Sequence, residues 1–419
     1  LLSFINNFNF VIFILFTVCY SYQIIYAFVA LFKKPKELTP KKLHKYAVIT
    51  AARNESAVIG ELIKSIKNQK YPSELVDIFV IADNCTDNTA EVARKAGAIV
   101  YERNNKELVG KGYALDFIFK TIATQYSDAN YEGYFIFDAD NLLDENYIAE
   151  MNKMFDSGYR ILTSYRNSKN YDSNWISAGY SLWFLREAKY LNNPRMLLNT
   201  SCAVSGTGFL VHSDIINKNE GWKYHLLTED IEFSIDSVIN GETIGYCGNA
   251  KIYDEQPCTF EQSWNQRLRW SKGFYQVFGK YGLSLVKTTF QKHCFSAYDM
   301  FMTITPAIFV TLTSILFNLS CLIYGIFSLT ASPKIIPTTL GAILISFFNF
   351  YIVLYAFGLL TTITEWDQIN STPFKKILYT FTFPVFIFTY IPISIVALFK
   401  KIEWTPINHT VVKSIEEVR

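Results

Sequence analysis

The chain has 419 residues, of which 50% are hydrophobic, 16% aromatic and only 18% charged, and its mean hydropathy is +0.14. That is too apolar for an ordinary soluble chain and excludes disorder, coiled coil and collagen. With 39 basic residues against 37 acidic ones the formal charge is +2, so no global field recruits nucleic acid.

Residues 1–32 carry no charged side chain, more than the roughly 20 apolar residues a membrane-spanning helix needs. Phe8–Phe32 has no basic leader and outruns a signal-peptide core, so an uncleaved anchor is expected. Lys33, Lys34, Lys36, Lys41, Lys42 and Lys45 come next against a single Glu37; by the positive-inside rule, the segment from residue 33 onward is expected in the cytoplasm. From 33 to 255 the texture is that of a soluble unit. Strands are expected at 46–52, 76–82, 98–101, 133–138, 160–165 and 243–252, with helices at 56–69, 88–96, 112–125, 145–156 and 174–190 between them. That alternation predicts a largely parallel, doubly wound sheet, whose ligands sit beyond the carboxyl ends of the strands. Seven cysteines form no C-x-x-C pair, which points to neither a zinc site nor a complete disulfide framework, and to a reducing compartment.

Polar clusters stand just after the expected strands. The first is Arg53-Asn54-Glu55 and the second Asp83-Asn84-Cys85-Thr86-Asp87; for Glu55 and Asp83 a turn or helix cap competes with a ligand contact. The third is Asp138-Ala139-Asp140 after Phe135-Ile136-Phe137. Positions i and i+2 of an extended segment share a side, so both carboxylates can converge on one hard divalent cation, Mg²⁺ or Mn²⁺, which would offset the charge of a diphosphate. The fourth, Thr228-Glu229-Asp230, opens an expected helix. It reads equally as an N-cap with first-turn acids matched to the helix dipole and as a general base.

Residues 256–298 mix aromatic and basic side chains, the composition of amphipathic helices at a membrane interface. Within them Gln266, Arg269 and Trp270 stand at i, i+3 and i+4, one helical patch of amide, guanidinium and indole. It suits a sugar and a phosphate, or an interfacial anchor. Charge-free runs at 300–333, 335–364 and 377–399 are further membrane candidates within a region 299–399, with a tail at 400–419 after them. Pro384 and Pro392 interrupt the last run and lysines flank both its ends, so it is expected to enter and return, or to lie along the interface, keeping Trp404–His409 near the site.

These elements together resemble the membrane-embedded family 2 glycosyltransferases that include cellulose, chitin and hyaluronan synthases. The marks are the Asp83 loop, Gly110-Lys111-Gly112-Tyr113-Ala114-Leu115, Asp138 and Asp140, Ser205-Gly206-Thr207-Gly208-Phe209, Thr228-Glu229-Asp230 and Q-x-x-R-W at 266–270. The resemblance implies a GT-A (Rossmann-like) α/β catalytic domain inserted between transmembrane helices of a multi-pass plasma-membrane protein. It implies that Glu55 and Asp83 hold the uridine, Lys111 positions the donor, Asp138 and Asp140 contact donor and metal, and Asp230, flanked by Thr228 and Glu229, is the catalytic base. Arg269 would contact the diphosphate, while Gln266 and Trp270 would border the sugars. Gly206 and Gly208 would let the backbone approach the acceptor side. No F-x-V-T-x-K gating sequence and no R-x-x-x-R extension is present, a departure from the cyclic-di-GMP-regulated cellulose synthases. Trp404-Thr405-Pro406-Ile407-Asn408-His409 instead looks like the tails of bacterial exopolysaccharide synthases, so the expected subtype is a Gram-positive capsule or exopolysaccharide synthase.

The expected reaction is inverting, metal-dependent and processive. A UDP-sugar, UDP-glucose by analogy with the capsule-type tail, would add to a growing polysaccharide that leaves through the bilayer. One alternative is a non-processive enzyme moving a single sugar to a lipid carrier, distinguished by product length. Another is a non-catalytic polysaccharide exporter or nucleotide-sugar sensor, distinguished by UDP release.

Overall fold

The computed structural model describes residues 1–292, 294–328, 330, 332–402 and 409–418, with the backbone alone at 306–308. The first charge-free run forms two helices, α1 (Leu2–Tyr20) and α2 (Tyr22–Phe32).

The six expected strands all form. They are β1 (Tyr46–Ala52), β2 (Val76–Asp83), β3 (Ile99–Arg103), β4 (Gly133–Asp138), β6 (Ile161–Ser168) and β8 (Ile244–Asp254), joined by two short ones, β5 (Leu142–Leu143) and β7 (Phe209–His212). Their order in one sheet is β3-β2-β1-β4-β7-β6-β8-β5. β1 pairs in parallel with β2 and β4, and β6 with β8, whereas β7 runs antiparallel to β4 and β6, and β5 to β8. The sheet is thus mixed rather than largely parallel in its second half.

The helices among these strands are α3 (Ile59–Lys67), α4 (Thr89–Lys95), α5 (Lys111–Gln125), α6 (Tyr147–Asp156), α7 (Trp175–Glu187), α8 (Asn193–Leu197), α9 (Ser213–Lys218) and α10 (Glu229–Ile239). Strand periodicity decides how they pack. Ala47 and Ile49 of β1 join a core with Ala114, Leu115 and Ile118 of α5, whereas Tyr46 and Val48 join another with Ile59, Leu62 and Ile63 of α3 and Met151 of α6. With both faces covered, β1 reads as the unbroken apolar run Tyr46-Ala47-Val48-Ile49, and each fully buried Ile or Val there contributes about 1.5–3 kcal/mol. The order reverses direction between β1 and β4. That switch point opens a crevice at the strands' carboxyl ends, where Arg53, Glu55, Asp83 and Asp138 stand at or just past the ends of their strands.

After β8 comes a single helix, α11 (Phe260–Gln291), rather than several interface helices, then α12 (Phe295–Ile304), α13 (Pro306–Phe327), α14 (Ile335–Thr364), α15 (Pro373–Phe388), α16 (Tyr390–Phe399) and α17 (Ile415–Val418). Four segments, Leu2–Tyr20, Phe309–Phe327, Ile335–Thr364 and Pro373–Phe399, are long and apolar enough to cross a membrane. α1 packs on α13 and α14. Asn9 and Asn318 exchange amide hydrogen bonds of 3.1 and 2.9 Å there, satisfying two polar groups inside an apolar bundle.

The last apolar segment behaves differently. It breaks at Thr389 between α15 and α16 and lies against α7, α11 and α14. The buried Arg267 of α11 donates to the Phe386 carbonyl (3.1 Å) and to Thr389 Oγ1 (2.6 Å) at the end of α15, where a cation faces the negative end of a helix. Both flanks of the segment touch the catalytic domain, through Asn167 to the Gln368 carbonyl (2.7 Å) before it and His409 to Glu55 (2.9 Å) after it. Trp404–Asn408 lies outside the described residues. All seven cysteines are free thiols.

Candidate active site

A cavity of about 300 Å³ opens at the switch point. Twelve of the expected site residues line it: Glu55, Asp83, Lys111, Asp138, Asp140, Gly206, Thr228, Glu229, Asp230, Gln266, Arg269 and Trp270. Gly208 does not. Its φ is +66°, and an added Cβ would sit 2.5 Å from Ile252 and 2.7 Å from Ser164, so its glycine serves the packing of β7 on β6 and β8 rather than an acceptor. Gly206, at φ +79°, is the glycine that lies at the site, where an added Cβ would be 3.8 Å from Asp230 Oδ2.

The antiparallel β7 delivers this loop to the end of β4. Thr207 Oγ1 accepts from the Asp138 amide at 2.9 Å, and the Gly206 carbonyl accepts from Lys111 Nζ at 2.7 Å. Lys111, at the start of α5, also donates to Asp138. Burial opposes its charge, but Asp138 and Glu229 outweigh it, so its pKa lies above the ordinary lysine value. For Asp140, burial would raise the carboxyl, yet His409, Lys169 and the Glu255 amide at 2.7 Å hold it below its usual range.

Asp83 and Glu55, the two carboxylates expected to hold the uridine, are already engaged. Asp83 accepts from Arg103 at 2.6 Å. Glu55 accepts from His409 Nδ1 at 2.9 and 3.0 Å, an imidazole whose pKa is carried up to about 10 by Asp140 and Glu55 against burial. His409 thus stands beside the site, as expected for the tail.

Thr228 occupies the N-cap position of α10 but makes no capping bond; its hydroxyl is buried without a partner among the described residues. The cap reading therefore fails at the side chain. Gly273 of α11 packs against it so closely that a Cβ there would lie 2.5 Å from Thr228. Burial raises both of the acids after it, Glu229 to about 7 with the charge of Asp230 adding to the effect.

On α11 the spacing argument holds. Gln266, Arg269 and Trp270 face the cavity, while the intervening Arg267 and Leu268 turn to α15 and α16. Gln266 Oε1 is buried without a partner among the described residues. Trp270 is held edge-on by Tyr180 and Phe184, at 5.8 and 6.3 Å between centroids.

Sequence reasoning missed Arg166, Asp254, Glu255 and Glu187, which also line the cavity. Arg166 pairs with Asp254 and donates to the Ser205 carbonyl at 2.8 Å; burial and the nearby acids push Asp254 up to about 6. Arg166 and Asp254 lie toward the carboxyl ends of β6 and β8, so the strand-end rule applied to every strand would have found them.

Nine carboxylates against five lysine or arginine side chains line the cavity. A diphosphate entering that surplus of negative charge needs a cation. Among the described residues no three His, Cys, Asp or Glu side chains form a preformed metal cage. Asp138 and Asp140 nevertheless line one cavity, and two hard carboxylates completed by substrate phosphates are a donor set that Mg²⁺ uses, so the residues fit the ion.

A mixed sheet with strand-end carboxylates, two acids at a helix start and an amide-guanidinium-indole patch defines an α/β glycosyl-transferring enzyme of the GT-A type. The chain belongs to the family described as glycosyltransferase like family 2, which it matches over residues 44–273. It is 25% identical over 247 residues to the beta-monoglucosyldiacylglycerol synthase of Nostoc sp., covering 56% of this chain and 50% of that one. It is 25% identical over 264 residues to the poly-beta-1,6-N-acetyl-D-glucosamine synthase of Staphylococcus aureus, covering 61% and 60%. The chain thus spans half to three fifths of these relatives. The mannosyltransferase PcManGT of Pyrobaculum calidifontis, solved with GDP-Man and Mn²⁺, shares the fold at a TM-score of 0.56 and 16% identity, over 95% of this chain and 99% of that one.

Proposed function

We propose that the protein transfers a hexose with inversion from a UDP-sugar, UDP-glucose in the first instance, to a hydroxyl of a membrane-associated acceptor, a growing capsular or extracellular polysaccharide. The carrying observation is that Asp230 shares one cavity with Lys111, Asp138, Asp140 and Arg269. Asp230 removes the proton of the acceptor hydroxyl, whose oxygen attacks the anomeric carbon as the bond to the diphosphate breaks. Arg269 and Lys111 supply fixed positive charge to the departing UDP. A divalent cation on Asp138 and Asp140 would neutralise the diphosphate. Gln266 and Trp270 border the sugars, the indole offering its face to the acceptor.

A second reading, transfer of one sugar to a lipid, is favoured by a different observation. The cavity reaches Phe274 and Thr303, and Thr303 stands just before α13, so the acceptor side approaches the root of the membrane helices. Of the two relatives named above, one is named as the synthase of a glucosyl lipid and the other as the synthase of a polymer. Purified protein in detergent, given a panel of UDP-sugars with Mg²⁺ or Mn²⁺, is expected to release UDP and yield a chain that linkage-specific glycosidases degrade; a single-sugar lipid product instead selects the second reading.

In this reading α1, α13 and α14 cross the plasma membrane and α15–α16 enters and returns, leaving 409–418 with the catalytic domain in the cytosol. A cysteine in place of the exposed Val412 should then resist an impermeant reagent in intact cells and react after permeabilisation. Labelling in intact cells would refute this topology.

A further inference from the structure

The acceptor half of the cavity holds a carboxylate that this chemistry leaves unused. Trp183, Glu187, Leu191 and Arg195 all line it, at intervals of four residues. On an uninterrupted α-helix such a row drifts by about 40° per step, so its two ends would face different ways. Here a π turn spans Ala188–Asn192 between α7 and α8, and its wider i→i+5 winding keeps Leu191 and Arg195 on the side of Glu187.

Of the two charged members, Arg195 is neutralised. Asp299 of α12 holds its guanidinium at 2.7 and 2.8 Å, and Tyr22 and Tyr26 of α2 donate to the same carboxylate. Glu187 has no such partner. The Ser205 hydroxyl donates to it, and no lysine or arginine pairs with it among the described residues. Ser205 adjoins Gly206, where an added Cβ would lie 3.8 Å from Asp230 Oδ2, so Glu187 shares the Asp230 end of the cavity, with Trp183, Phe184 and Leu191 as walls.

We propose that Glu187 is an acceptor-binding residue. Its carboxylate accepts a hydrogen bond from an acceptor hydroxyl beside the one that Asp230 deprotonates, and the acceptor end admitted here is neutral and hydroxyl-bearing, not phosphate-terminated. A charge-assisted bond to a hydroxyl suits an unpaired carboxylate between aromatic walls. A phosphate would meet Glu187 and Asp230, with Arg195 held by Asp299, Arg166 by Asp254 and Arg269 assigned to the donor diphosphate, a like-charge clash that selects against it. This inference rests on the glycosyl-transfer reading.

The test uses the full chain in phosphatidylcholine vesicles with Mn²⁺ and the UDP-sugar that wild type turns over. Three acceptor probes are compared: dioleoylglycerol, octyl β-glucoside and undecaprenyl phosphate. At least one neutral probe should stimulate UDP release and the phosphate lipid should not. Glu187→Ala should raise the KM for the neutral probe about tenfold or more, with Glu187→Gln between it and wild type, while UDP affinity by calorimetry stays within about twofold and reports intact folding. Stimulation by the phosphate lipid alone, or an unchanged acceptor KM in both variants, overturns the assignment. Failure of wild type to release UDP from any UDP-sugar overturns the glycosyl-transfer reading, and this inference with it.

Discussion

The two halves of the cavity are built on different plans. The half proposed for the donor is made of strand ends, where three carboxylates are already paired within the protein: Asp83 by Arg103, Asp138 by Lys111, Glu55 by His409. The half proposed for the acceptor is made of helices, α7, α11 and α12, with aromatic walls and Glu187, which pairs with no lysine or arginine among the described residues. Strand ends of a packed sheet cannot shift without disturbing two cores, so the donor half fixes a chemistry. Helix faces can change residue by residue, so the acceptor half is where relatives with lipid and polymer products can differ.

Breaking the boundary between the halves should have the largest effect. Asp230→Asn keeps the shape of the side chain but not its basicity, and should lower turnover by about 10² to 10⁴ with UDP binding retained; UDP release by the variant near the wild-type rate would remove Asp230 from its role. The same carboxylate gives wild type an acid limb. Burial raises the carboxyl of Asp230 above the ordinary aspartate value, against the pull of nearby backbone amides and Lys111, and the base must be ionised, so kcat should rise with pH along an acid limb displaced upward from that of a free aspartate. Glu229→Gln removes the second acid of the pair, whose own pKa the charge of Asp230 helps raise to about 7, and should leave the limb in place; loss of the limb would assign it to Glu229 instead.

A change confined to the donor half should look different. Asp140→Asn should weaken the apparent Mn²⁺ affinity by about 10- to 100-fold and donor binding with it, leaving the acceptor KM close to wild type. Metal titration of UDP release reads this directly, and an unchanged Mn²⁺ dependence would take Asp140 out of the metal site.

In the acceptor half the expected effect is smaller in rate and larger in product. Trp270→Ala should still bind UDP with metal yet give short products or none, with residual UDP release coming mainly from donor hydrolysis. Trp270→Phe should retain part of the product length, because a ring remains between Tyr180 and Phe184. Full-length product from well-folded Trp270→Ala would leave the indole as an interface anchor only.

The same contrast explains what was legible in the sequence. The donor half could be read because apolar runs ending in Asp83 and Asp138 announce both the strand and its ligand end. The helical spacing of Gln266, Arg269 and Trp270 was legible for the same reason, since period fixes face. β7 was not, because four residues carry too little pattern, and without its antiparallel path the role of Gly206 could not be told from that of Gly208. Glu187 was hidden by the π turn, which no periodicity reveals. Arg166 and Asp254 were within reach of the strand-end rule, but their pairing comes about only when β6 and β8 align.

The central claim is a single displacement by a hydroxyl that Asp230 activates. The most direct test is the anomeric configuration of the first glycosidic product formed from an α-linked UDP-sugar, read by the proton NMR coupling at the anomeric carbon. The account predicts a β-glycoside; an α-glycoside would contradict it.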